Sequence, residues 1–209
     1  MASTDLALIC GASGGLGPAV LEAFRSRGDR VLGVAREGAD LSVDLGDAAA
    51  VEAMWAGLDA VPRWLVNITG GFAGGRLADS TPESLQHLLR LNLETCWWSC
   101  RAAATRMPAG AAIVNVSSRA AIAGSAGAAA YGVAKAGVNR LTEILAAELK
   151  GAGVRVNAVM PNLIDTPANR ASMPAEAMRN AVAPERIAQT ILWLCSDEAA
   201  AVSGAIVPV

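Results

Sequence analysis

The stretch Leu6-Ala7-Leu8-Ile9-Cys10-Gly11-Ala12-Ser13-Gly14-Gly15-Leu16-Gly17 decides the fold of this chain. Five successive apolar residues closed off by glycine predict a short strand buried on both faces. A helix is expected next, over residues 15–27, so the glycines occupy a strand-to-helix turn. That setting is what gives a glycine-rich loop meaning. Glycine permits the tight turn, the close approach of backbone to a pyrophosphate, and close packing of helix on strand. The unpaired N–H groups that open a helix then serve the phosphates. Pro18 suits the position, since the N–H it lacks falls where helical donors have no partner anyway. The plainer alternative is an ordinary tight turn. The glycine spacing in this context favours a dinucleotide site.

Outward from the loop, short β-type runs alternate with longer helical ones. Strands are expected over 30–35, 64–69, 111–117, 154–160 and 204–209, and helices over 47–57, 82–107, 129–150 and 184–196. The alternation predicts an α/β chain: one Rossmann-like, doubly wound parallel sheet with helices on both faces, a three-layer α/β/α arrangement. Thr81-Pro82-Glu83 marks one helix start, with Thr81 as N-cap and Pro82 in the first helical position. No repeat, low-complexity linker or composition break divides the 209 residues, so a single NAD(P)-binding domain is expected over 1–209. The second strand ends in Ala35-Arg36-Glu37. An acid there would bind the ribose 2′-hydroxyl of NAD(H), whereas arginine accommodates the 2′-phosphate of NADP(H). NADP(H) is therefore the expected coenzyme and NAD(H) the alternative, should Glu37 or Asp40 fold back towards the ribose.

Composition narrows the partners. Hydrophobic residues make up 53% of the chain and charged residues 17%, and the net charge is −2. This balance suits a compact protein and gives no electrostatic reason to expect nucleic acid or an anionic membrane as partner. No apolar run approaches the roughly 20 residues of a membrane span. Met1-Ala2-Ser3-Thr4-Asp5 lacks the basic start of a signal peptide, so a cytoplasmic location is expected. Cys10, Cys96, Cys100 and Cys195 form no C-x-x-C pair. Cys96 and Cys100 share a helical face, but His87 is the lone histidine, so reduced core thiols are expected and no metal site. His87 itself reads as a solvated helix residue. A Ser–His or Cys–His catalytic pair would have to use it.

Tyr131 offers another proton carrier. It is the only tyrosine, and it stands four residues before Lys135 in a chain where fifteen of seventeen cationic side chains are arginine. On a helix the two share a face. A neighbouring ammonium favours phenolate and would lower the phenol pKa towards the working pH, making Tyr131 a candidate general acid or base. A surface aromatic with an incidental basic neighbour is the bland alternative.

With the glycine loop and the Tyr-Lys pair on one chain, the sequence resembles the short-chain dehydrogenase/reductase family over nearly its whole length. Gly11, Gly15 and Gly17 fall on that family's G-x-x-x-G-x-G loop, and the resemblance implies coenzyme contacts by Ser13 and Leu16 as well. Asp44-Leu45 resembles its adenine-binding pair, and Asn67 to Gly70 its Asn-Asn-Ala-Gly turn. Asn92 stands where the family carries a catalytic asparagine. Ser118 lies at the expected thirteen residues before Tyr131. Pro161 to Thr166, Ile164 included, resembles the segment that contacts the nicotinamide amide. The implied reaction is hydride transfer between nicotinamide and a small carbonyl or alcohol substrate. Tyr131 would carry the proton and Ser118 would bind the substrate oxygen. Lys135 would hold the ribose and tune Tyr131, and Asn92 would hold a relay water. The resemblance also implies a homodimer or homotetramer built on the helices at 82–107 and 129–150. Small residues such as Ala102, Ala103, Ala136 and Gly137 would permit close approach.

The chain departs from the family at Cys10, Ile68, Thr69 and Asn162. The segment from Arg36 to Asp44 is too short for the helix expected there, and Val209 is not followed by a glycine-rich tail. Thr69 to Gly75 and Asp165 to Pro174 resemble the dihydropteridine reductase branch, although that branch lacks the serine at Ser118. Three functions follow: a carbonyl reductase or alcohol dehydrogenase, a pterin reductase, or a protein that senses NADP(H) without catalysis. The loop at 162–183 is expected to shape the substrate site.

Overall fold

Leu6–Cys10 (β1) is buried at every position because its alternate side chains serve two different layers. Leu8 and Cys10 enter one core, Ala7 and Ile9 the other. A computed structural model describes residues 5–209. Met1–Thr4, where the sequence lacks a basic start, lie outside the described residues. The further strands are Arg30–Ala35 (β2), Leu41–Ser42 (β3), Trp64–Asn67 (β4), Ala112–Val116 (β5), Arg155–Met160 (β6) and Ile206–Pro208 (β7). All pair in parallel, in the order β3-β2-β1-β4-β5-β6-β7.

Gly17–Arg27 (α1) and Pro184–Leu194 (α8) cover one face, with Val20, Phe24, Ile187 and Ile191 fully buried. Ala48–Ala56 (α2), Pro82–Leu89 (α3), Thr95–Ala104 (α4) and Ala129–Leu149 (α5) follow in the chain, and α2, α4 and α5 cover the opposite face. The doubly wound, three-layer architecture expected from the sequence is the one found. Strand order reverses between β1 and β4, and a ligand crevice opens beyond the C-terminal strand ends at such a switch point.

The long helix expected over 82–107 is interrupted. A π-turn at Arg90–Glu94 separates α3 from α4, and α4 ends at Ala104. β3 has only two residues and pairs with β2 at Val34 and Ala35. The segment at 162–183 carries two short helices, Pro167–Ser172 (α6) and Ala175–Met178 (α7), and its ends are pinned together by a bridge between Ile164 and Val182. Ala102 and Ala103 are fully buried within the chain, so they serve its own core rather than a subunit contact. Gly137 likewise gives room to Leu93 of the same chain, whose Cδ2 would lie 2.9 Å from a Cβ there.

Candidate active site

The loop leaving β1 has two kinds of glycine. Some are needed by the protein's own packing. A Cβ on Gly17 would meet the Ala12 carbonyl oxygen at 1.9 Å, and one on Gly15 would meet Thr166 Cγ2 at 2.7 Å. Gly11 has φ +99° and lies against the Thr69 backbone, a conformation that L side chains adopt rarely. Ser13 and Gly14 are instead exposed and line a cleft of about 550 Å³. α1 begins without a side-chain cap and with no acidic residue in its first turn, so no carboxylate opposes the positive field at its N-terminus. Leu16 is buried and anchors the loop on the α1–α8 face.

The cleft runs from this loop across the end of β2, where Ala35 and exposed Arg36 form a wall, to Asp44 and Leu45. Asp40 takes no part in it. Its carboxylate accepts the Gly33 backbone N–H at 2.7 Å, which commits it away from the ribose end. On the far side stand His87 and Arg90, and Arg90 Nη2 pairs with the Asp44 carboxylate at 2.7 Å. Arg90 could not be foreseen as part of the site, because its partner lies 46 residues away in the chain. His87 is exposed as expected, yet it borders the cleft. At the other end the cleft reaches Gly70, which stands over two side chains. A Cβ there would meet Asn92 Oδ1 at 2.8 Å and Lys135 Nζ at 3.1 Å. The extended channel, with the glycine loop and the uncapped start of α1 at one end and a lysine beside the other, fits a dinucleotide coenzyme.

Asn92 is turned inward by the π-turn and fully buried. Its Nδ2 donates to the carbonyls of Gly71 and Leu88, and its Oδ1 accepts the Gly71 N–H. It therefore clamps the strand-following glycine loop to the helix. Asn67 is buried lower in the sheet, where its Nδ2 donates to Asn115 Oδ1, and Asn115 donates on to Thr142.

Beyond Gly70 lie Ser118, Tyr131 and Lys135. Ser118 follows β5, and its Oγ accepts the Ala120 N–H at 3.2 Å, capping a short turn while leaving the hydroxyl proton free to donate. Lys135 is 4% exposed, and Nζ donates to the Val116 carbonyl at 2.9 Å. Burial pushes its pKa down to about 8, partly opposed by Cys96. Nζ stands 6.0 Å from the Tyr131 ring centroid. Burial raises the Tyr131 phenol above its ordinary range, and Ser118 acts in the opposite direction. The lowered phenol pKa expected from the Tyr-Lys spacing is thus reversed here, because desolvation of the phenolate outweighs the other influences. Phe72, on the loop after β4, meets the Tyr131 ring edge-on with centroids 5.3 Å apart. Pro161 and Thr166 are buried after β6, and Ile164 packs into the α1–α8 core.

All four cysteines are buried free thiols, and burial pushes Cys10 and Cys195 up to about 12. Cys96 Sγ and Cys100 Sγ are 3.9 Å apart. Among the described residues, no group of three or more His, Cys, Asp or Glu is arranged to hold a metal ion, and no helix is long and apolar enough to cross a membrane.

A doubly wound sheet with this crevice and this cluster of polar side chains is that of an oxidoreductase. The chain belongs to the short-chain dehydrogenase/reductase family. Residues 11–209 match a family model described as enoyl-(acyl carrier protein) reductase. The chain is 32% identical to D-threitol dehydrogenase of Mycolicibacterium smegmatis, covering 96% of this chain and 89% of that one. It is 31% identical to L-xylulose reductase of Bos taurus, covering 97% and 93%. A solved oxidoreductase of the same family from Burkholderia thailandensis superposes with a TM-score of 0.87 at 31% identity, over 99% of this chain and 91% of that one.

Proposed function

We propose that this protein interconverts a small carbonyl compound and its alcohol, with NADP(H) as preferred coenzyme. The observation that carries this reading is that Lys135 Nζ lies beside Gly70 of the cleft, with Tyr131 and Ser118 next to it. The coenzyme, when bound, supplies or accepts the hydride. The loop Gly11, Ser13, Gly15, Leu16 and Gly17 would hold its pyrophosphate, Arg36 its 2′-phosphate, and Asp44 with Leu45 its adenine. Pro161, Ile164 and Thr166 would frame the nicotinamide end, where Tyr131 and Lys135 would meet the ribose hydroxyls. Gly70 would line the coenzyme cleft, and Asn67 would support it from beneath through its bond to Asn115.

Ser118 donates its hydroxyl proton to the substrate oxygen and stabilises the charge that develops there. Tyr131 delivers a proton to the same oxygen in reduction and removes it in oxidation. A phenol whose pKa is raised by burial holds its proton at neutral pH, the form that donates in reduction. Asn92 Oδ1 accepts one hydrogen bond and keeps a second lone pair for a water near Lys135. Lys135 Nζ is one step from this position, across Gly70.

Tyr131→Phe should lower kcat by at least ~100-fold, the scale of a general acid's contribution, while coenzyme affinity stays within a factor of a few. Turnover is read on a panel of ketones, 3-oxoacyl thioesters and a quinonoid dihydropterin. Near-wild-type turnover in the mutant would remove the assignment. Turnover of the dihydropterin alone would favour a pterin reductase, and coenzyme binding without turnover of any member would favour a sensor. The coenzyme preference rests on exposed Arg36 and on the engagement of Asp40 elsewhere. Arg36→Ala should raise the dissociation constant for NADPH roughly tenfold, as loss of one charge-assisted contact implies, and leave that for NADH almost unchanged. Equal losses for both coenzymes would contradict the preference.

A further inference from the structure

Phe72 is a large hydrophobic side chain left exposed, yet its ring meets that of Tyr131 with centroids 5.3 Å apart. It is 57% exposed, and the two rings meet at 89°. The loop that carries it is fixed at both ends. Asn92 clamps Gly71 through both its amide nitrogen and its oxygen, and the Gly75 N–H donates to the Gly127 carbonyl at 2.8 Å. Gly71 is packed closely, since a Cβ there would meet Leu91 Cδ2 at 2.9 Å, and Gly74 lies beside the Phe72 ring, where a Cβ would stand 3.4 Å away in ordinary contact. An aromatic ring held on a braced loop, mostly in solvent and against a proton-handling phenol, is poorly explained as core packing.

The Gly75–Gly127 bond joins this loop to the one that leaves β5 and carries Ser118 and Ile122, the latter 68% exposed. Both loops emerge at the C-terminal edge of the sheet, where ligands bind in such folds. We infer that Phe72 is a specificity-determining residue, an apolar wall beside the reacting carbonyl, and that the substrate carries an aryl or other flat apolar group next to that carbonyl. This rests on the carbonyl-reductase reading above. A phenylalanine face offers no hydrogen bond, so a polyhydroxylated chain placed against it would lose water without a replacement. An aryl group would instead gain an aromatic contact of the kind Phe72 already makes with Tyr131. The substrate class is thereby set apart from the D-threitol and L-xylulose for which two relatives are named.

The test compares kcat/KM for phenyl methyl ketone and dihydroxyacetone, each with NADPH, in the wild type and in Phe72→Ala, Phe72→Leu and Phe72→Trp. The wild type is expected to prefer the phenyl ketone. In Phe72→Ala the preference should fall by roughly tenfold or more, the scale on which an apolar pocket discriminates. The loss should appear mainly in KM for the phenyl ketone, with dihydroxyacetone and NADPH affinity unaffected. Phe72→Trp should keep the preference, and Phe72→Leu should fall between. A wild-type preference for dihydroxyacetone, an equal loss on both substrates, or no change in their ratio would each overturn the inference while leaving the reductase reading intact. Absence of turnover of every carbonyl by coenzyme-bound wild type would instead remove the reductase reading, and this inference with it.

Discussion

Lys135 carries an ammonium into a place with little water, bonded to one backbone carbonyl. Its pKa falls from 10.5 to about 8 because burial penalises the charged form. Below pH 8 both the folded and unfolded chains hold this proton, and the folded state bears the full cost of the buried charge. Between about 8 and 10.5 the folded chain has released the proton and the unfolded chain has not, so stability gains with rising pH. The span corresponds to about 3 kcal/mol in all. Lys135→Met keeps the stem and removes the charge. At pH 7 it should be more stable than wild type in coenzyme-free urea titrations, by up to that amount. The advantage should shrink steadily towards pH 10, and a difference that is flat with pH would show that the ammonium is not the source. The spacing of Tyr131 and Lys135 was legible as chemistry in the sequence. The upward shift of the phenol was not, because desolvation depends on how the whole fold buries the ring, and it outweighs the opposing influence of Ser118.

Elements were legible where local pattern and tertiary packing agree. The run Leu6–Cys10 and its glycine loop could be read because glycine is required there at van der Waals range, as Gly17 against Ala12 demonstrates. Asp47 caps α2 through the N–H groups of Ala49 and Ala50, and Thr81 caps α3 in a reciprocal bond with Ser84. Such caps are local and can be read from a few residues. The π-turn at Arg90–Glu94 was not legible, since the residues Arg-Leu-Asn-Leu-Glu continue a helical pattern. What selects it is the bonding of Asn92 to Gly71, some twenty residues away in sequence. The same holds for β3. Two residues cannot announce a strand, and it exists because β2 offers an edge to pair with. The short connection before it was read correctly as too short for a helix. Its consequence, Asp40 bound to Gly33 rather than facing the ribose, needed the three-dimensional register. Arg90 shows the same limit for the site: its role as a cleft wall depends on Asp44.

For the whole molecule, one chain leaves an apolar surface that its own core does not use. Val133 and Ile144 of α5 are 64% and 48% exposed, and Trp97 of α4 is 48% exposed. Val133 and Ile144 are separated by about three helical turns and so share one side of α5, while Val138 and Leu145 on the other side are buried. Burial of side chains of this size is worth about 1.5–3 kcal/mol each when complete, and a two-fold axis would place each of them in the contact twice. A homodimer across α4 and α5, or a tetramer containing that dimer, is therefore expected, with Trp97 and Val133 rather than Ala102 and Ala103 supplying the contact. Light scattering at micromolar concentration should give a mass of two or four chains. Val133→Arg introduces two like charges, one from each subunit, into an apolar contact. It should weaken association by roughly 100-fold, equivalent to about 3 kcal/mol, and shift the mass towards one chain. Val133 faces solvent in the single chain, so the variant should keep its fold and its circular dichroism. A wild type that scatters as one chain at these concentrations would show that the exposed apolar side of α5 is left to solvent.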